Sequence, residues 1–92
     1  MIKLTQKTWN EINNELAANV VKLRKRKKIS QTALATKSGV SLGSIKRFEQ
    51  TGEISLQSLT KIAIALDVEK EIENLFKEVP FGSIQEIING QS

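Results

Sequence analysis

The stretch GVSLGSIKRFEQ, residues 39–50, sets serines, cations and an amide into a segment with a helix-like apolar rhythm. With Ile45 and Phe48 turned inward, Ser41, Leu42, Gly43, Ser44, Lys46, Arg47 and Gln50 gather on the exposed side. Hydroxyls, amides and cations in that arrangement are the groups that contact phosphate oxygens and base edges. Covalent chemistry has much less to draw on. The 92 residues include no Cys and no His, which removes thiol nucleophiles, imidazole bases, disulfides and the ordinary zinc ligand sets. Ser58 and Thr60 read as helix surface, because no base is expected within reach to activate them. Asp67, Glu69, Glu71 and Glu73 follow no calcium-loop spacing and read as a solvated acidic helix start. An enzyme is not expected, and neither is a cofactor or a metal ion.

Charge points the same way. The net charge is only +4, but residues 22–47 carry nine basic groups and no acidic one, whereas residues 67–92 carry six acids against two lysines. A stretch so cationic repels itself unless it meets an anion, and a polyphosphate is the obvious one. Lys22 and Lys28, within this run, are expected to contact phosphates whatever the base sequence. Part of the run has a structural cause, since cations in the last turn of a helix complement its dipole, but that accounts for two or three charges and not six. The N-terminal residues contain no long apolar core, so neither a signal peptide nor a membrane span is expected and a cytoplasmic location is the default.

Helices must position these groups. Thr8 and Glu11 have capping-box spacing, and Trp9, Ile12, Leu16, Val20 and Leu23 recur every three or four residues, which predicts one amphipathic helix over about 8–27. Ser30 can cap a second helix over 31–37 with Leu34 and Ala35 inward; Gly39 stops it, and Ser41 caps a third that runs to about residue 50. Small Ala35 lets these two helices approach, Gly39 supplies the positive φ of a sharp turn, and Val40 with Ile45 fills the angle between them. Ser55 caps a core helix carrying Leu56, Leu59, Ile62, Ala63 and Leu66. A fifth helix is expected over 69–77 with Ile72, Leu75 and Phe76 apolar, ended by Pro80 and Gly82. Ser83 and Glu86 repeat the capping spacing before Ile84, Ile87 and Ile88, which predicts a short terminal helix. No segment alternates as a strand does.

Residues 17–68, read as LRKRKKIS, QTALATKSGVS, SIKRFEQTG and SLQSLTKIAIALDV, resemble the Cro/Xre-type helix-turn-helix family of phage and bacterial repressors in order and spacing. The resemblance implies an all-α fold, a compact five-helix lambda-repressor-like DNA-binding domain over 1–78 with its motif at 31–50, and a short C-terminal extension over 79–92. It implies that the second motif helix enters the major groove, with Leu42, Gly43, Lys46 and Arg47 at base-reading positions, Ser41 and Ser44 near the backbone, and Gln31 touching a phosphate. Gly43 stands where many relatives carry a long side chain, and closer docking on the duplex is the expected return. The family likeness also pairs Arg24 with Glu49 as a buried ion pair that ties the reading helix to the first helix. Between Glu49 and Ser55 the chain departs from its relatives, reading QTGEI where they often carry a basic residue and a proline.

The expected function is sequence-specific binding of double-stranded DNA by a transcriptional regulator, a repressor acting as a homodimer, with the apolar tail as the dimer surface. The alternative is an antitoxin, similar to HipB-like proteins, whose acidic C-terminal part binds a toxin protein while the basic half binds the promoter.

Overall fold

The computed structural model describes residues 6–78, and every regular element among them is helical. The helices are α1 (Trp9–Arg26), α2 (Gln31–Ser38), α3 (Leu42–Thr51), α4 (Leu56–Ala65) and α5 (Glu69–Glu73). The first four start on a hydroxyl. Thr8 Oγ1 accepts from the Glu11 N–H at 3.1 Å while Glu11 Oε1 accepts from the Thr8 N–H at 3.4 Å, which closes the capping box. The hydroxyl oxygens of Ser30, Ser41 and Ser55 accept from the N–H groups of Ala33, Ser44 and Ser58 at 3.0, 3.1 and 3.0 Å. Each bond satisfies a backbone donor that has no partner within its helix.

The helix ends come in two kinds. Gly39 and Gly52 close α2 and α3 with φ of 77° and 78°, in the left-handed region where a side chain is costly. After α1 and α4 the same reversal falls on Lys28 and Asp67, with φ of 59° and 60°. There the N–H groups of Ile29 and Val68 donate back to the carbonyls of Arg24 and Ala63 at 3.1 and 2.8 Å, the six-to-one bond of a Schellman ending.

Leu34, Val40, Ile45, Ile62, Ala65 and Leu66 form the core, with Val20, Leu23, Ile29, Ala35, Ile54 and Val68 packed around it. α3 rests on α1 and α2, α2 also touches α4, and α4 carries α5. Val40 and Ile45 fill the angle of the turn as expected, at 5% and 0% exposure. α1 and α2 thus cover the inner side of α3 and leave its other side to solvent.

Three expectations about apolar positions are corrected. Trp9 does not pack within the first helix; it is 74% exposed, and Ile12 and Leu16 are exposed beside it. α1 has 18 residues while its partners have 10 or fewer, so at 1.5 Å per residue it outruns them, and no described helix covers this side of its N-terminal turns. Leu56, in the first turn of α4, is also exposed. The fifth helix ends at Glu73 rather than 77: Leu75 and Lys77 donate to carbonyls three residues back, Phe76 takes φ of 59°, and both Leu75 and Phe76 are exposed. A helix of five residues has too few bonds to propagate without a packed face. The expected terminal helix, with Pro80, Gly82, Ser83, Ile84, Glu86, Ile87 and Ile88, lies outside the described residues.

Candidate nucleic-acid interface

α3 is amphipathic in the strict sense that decides which residues can meet a ligand. Ile45 and Phe48 are buried on its inner side; at 100° per residue, Gly43, Lys46, Arg47 and Gln50 fall on the opposite side, and all four are exposed. Leu42 is half-buried at the shoulder of the helix. At its N-terminus the Ser41 hydroxyl donates to Ser44 Oγ at 2.8 Å while accepting from the Ser44 N–H, so both serines are ordered at the positive end of the helix dipole. Lys22 and Lys28 are exposed on and just after α1, and Lys28 occupies the left-handed turn position itself.

The inner anchor of α3 is electrostatic. Arg24 donates from Nε to Glu49 Oε2 at 2.8 Å and from Nη2 to Glu49 Oε1 at 3.0 Å, a two-bond fork. Its Nη1 donates to the Ile29 carbonyl at 2.9 Å. Gln31 completes the cluster by donating from Nε2 to Glu49 Oε1, also at 2.9 Å. The two charged side chains are only 9% and 8% exposed. Gln31 was expected at a phosphate; one of its two amide hydrogens is committed to Glu49, a role its position at the start of α2 did not announce in the sequence. The cluster ties the end of α1, the start of α2 and the last turn of α3 together.

Arg47 has a partner that sequence reasoning missed. Its Nη2 and Nε donate to Glu53 Oε2 at 2.6 and 3.0 Å. Both side chains are well exposed, at 69% and 57%, so the pair adds at most about 1 kcal/mol to folding. Thr51 shapes the segment between them: its hydroxyl donates to the Arg47 carbonyl at 2.7 Å and accepts from the Glu53 N–H at 3.2 Å. Ser44, Arg47, Glu53, Ile54, Ser55 and Ser58 line one open cleft between α3 and the start of α4. Only the acid six positions after Arg47 could have signalled this pairing, and that separation is no helical repeat.

Gly43 has nothing within 4 Å of the position a Cβ would occupy, and its φ is not positive. Among the described residues nothing requires a glycine there.

Taken together, the geometry is a short cationic helix seated on two others across a three-residue, glycine-cornered turn. No curated protein and no solved structure gives a significant match. A helix-turn-helix family model matches residues 20–72, more than half of the chain, spanning the end of α1 through α5. With the fold and this match in agreement, the chain belongs to the Cro/Xre-type helix-turn-helix family and is a DNA-binding transcription regulator.

Proposed function

We propose that the chain is a sequence-specific repressor that binds a two-fold operator as a homodimer and reads it with the outer face of α3. The observation that carries this reading is the division of α3 itself. Its inner side is fixed by Ile45, Phe48 and the Arg24–Glu49 fork, while Lys46, Arg47 and Gln50 stand exposed on the other. A rigidly held helix with donors along one side suits the major groove, where each base pair presents a distinct pattern of acceptors. One such helix contacts only a few base pairs, so adequate specificity calls for two copies about 34 Å apart. Exposed Trp9, Ile12 and Leu16 on α1, and Leu75 and Phe76 just after α5, supply apolar surface for a second copy.

The test is selection from random duplexes at cellular ionic strength. The expected result is a two-fold symmetric sequence with half-sites one turn apart; no enrichment over bulk genomic fragments defeats the reading. With the selected duplex in hand, neutralising Lys22 or Lys28 is expected to weaken all sequences alike and to flatten the salt dependence by about 0.9 in log K against log salt per phosphate lost. Replacing Leu42 or Arg47 is instead expected to shift preference at one base pair, by about 1–3 kcal/mol.

Gly43→Ala separates folding from docking. An exposed helical glycine replaced by alanine is expected to raise stability by about 0.5–1 kcal/mol. If the glycine permits close approach to the duplex, affinity for the selected site falls at the same time. A more stable variant with unchanged affinity would show that the bare position does no work on DNA.

A further inference from the structure

We propose that Glu53 is a specificity-determining residue that orients the Arg47 guanidinium for a guanine edge and keeps it from serving as a general phosphate clamp. The proposal rests on the DNA-binding reading given above and goes beyond it, by assigning an acid a role in choosing the sequence. A guanidinium offers five N–H donors in a rigid plane. Glu53 Oε2 takes the inner edge, Nε and one hydrogen of Nη2, at 3.0 and 2.6 Å. The outer edge, formed by Nη1 and the second hydrogen of Nη2, keeps two parallel donors. That edge matches the O6 and N7 acceptors of guanine in the major groove. A guanine can therefore bind Arg47 while Glu53 remains in place.

A phosphate meets a different situation. It can reach the same outer edge, but its negative charge then lies one guanidinium away from the carboxylate of Glu53, which repels it and already offsets the cation. A neutral guanine edge meets no such repulsion, and a phosphate gains the full charge only by displacing Glu53 into solvent. Glu53 thus penalises the sequence-independent contact and spares the sequence-dependent one. The carboxylate is not placed there by chance rotation of a loose side chain alone. Gly52 reverses the chain with φ of 78°, and the Thr51 hydroxyl bridges the Arg47 carbonyl and the Glu53 N–H, so the backbone on both sides of the pair is tied down. Both charged side chains are more than half exposed, so altering them leaves the core untouched.

The experiment uses the full chain, the duplex selected for it and an unrelated duplex of equal length, over a salt series. Four proteins are compared: the unchanged chain, Glu53→Gln, Arg47→Ala and the double variant, with thermal unfolding to verify folding. Glu53→Gln is expected to tighten the unrelated duplex by about five-fold, to steepen its salt slope by about 0.9, as for one more phosphate neutralised, and to leave the selected duplex unchanged or weaker. The ratio of the two affinities then falls by about five- to ten-fold, within the range of one lost bidentate base contact. In the Arg47→Ala background the same substitution is expected to leave that ratio unaltered. An unaltered ratio in the unchanged background overturns the proposal, and so does an equal change in both backgrounds, which would reduce Glu53 to a bulk charge. A starting chain that prefers no duplex instead overturns the functional reading beneath it, and the two failures are thereby told apart.

Discussion

Replacing Arg24 or Glu49 singly with an uncharged residue is expected to destabilise the fold by about 3–5 kcal/mol, because the remaining charge stays buried without its counterpart. The geometry places this pair at the costly end of the range for ion pairs. Both side chains are at least nine-tenths covered and joined by two bonds of 2.8 and 3.0 Å. Arg24→Met would leave Glu49 with Gln31 alone as a donor among these bonds, and would strip the Ile29 carbonyl of its side-chain donor. Glu49→Leu would leave a guanidinium facing an apolar contact with only that carbonyl to satisfy it. Since a small domain is stable by about 5–15 kcal/mol in all, either loss removes a large part of the margin.

The double variant makes the claim specific. Buried ion pairs are often no better than apolar side chains of similar volume, since desolvation offsets the attraction. Arg24→Met combined with Glu49→Leu is therefore expected to cost clearly less than either single change, even with Gln31 left short of one acceptor. Urea unfolding of the three variants measures this directly. Singles that each cost under about 1 kcal/mol would identify an ordinary surface pair, and a double variant equal to the sum of its parts would show that the two residues do not interact.

Much of this was legible in the sequence, for a physical reason. Helix starts are local events: Thr8, Ser30, Ser41 and Ser55 each cap a helix using an N–H only three residues away, so a single hydroxyl at the right distance from an apolar repeat announces them. Gly39 and Gly52 announce the ends for the same reason. The exposed side of α3 followed from the 100° turn per residue once Ile45 and Phe48 were turned inward. What depends on which elements meet was legible only where the family likeness or the turn itself supplied it, as for the Arg24–Glu49 pair and for Val40 and Ile45. Trp9, Ile12 and Leu16 obey helical spacing, but among the described residues no helix buries them. Periodicity marks an apolar side of a helix and cannot say whether it is covered. The Arg47–Glu53 pair crosses a reversal at Gly52, and the Gln31–Glu49 bond crosses 18 positions; neither has a signature in spacing. Likewise the charge runs point to an anion partner without revealing that Arg47, one of the cations in them, is already paired with an acid.

Gly52→Ala is expected to cost about 2–5 kcal/mol, the sum of a left-handed alanine and an overpacked helix contact. Two glycines have nearly the same backbone angle, 77° at Gly39 and 78° at Gly52, but different surroundings. A Cβ on Gly39 would meet nothing within 4 Å, whereas one on Gly52 would lie 2.9 Å from the backbone carbon of Asn13 and 3.0 Å from its oxygen. Those atoms belong to the wall of α1 and cannot swing aside as the tip of a side chain can. Gly39→Ala therefore measures the conformational cost alone, about 1–2 kcal/mol, and the difference between the variants measures the close approach of α3 to α1. That contact has a functional consequence. The Asn13 backbone lies against Gly52, just past the end of α3, and Arg24, eleven residues further on and about 16 Å along the axis of α1, bonds Glu49 in the last turn of α3. Two separated points fix a direction where one would leave a pivot. Below its melting temperature Gly52→Ala is accordingly expected to alter base preference as well as stability, because forcing the helices apart rotates the exposed side of α3 about the surviving ion pair. Equal losses of stability at the two glycines would show that α1 yields to the added methyl, and the two-point hold on the reading helix would have to be given up.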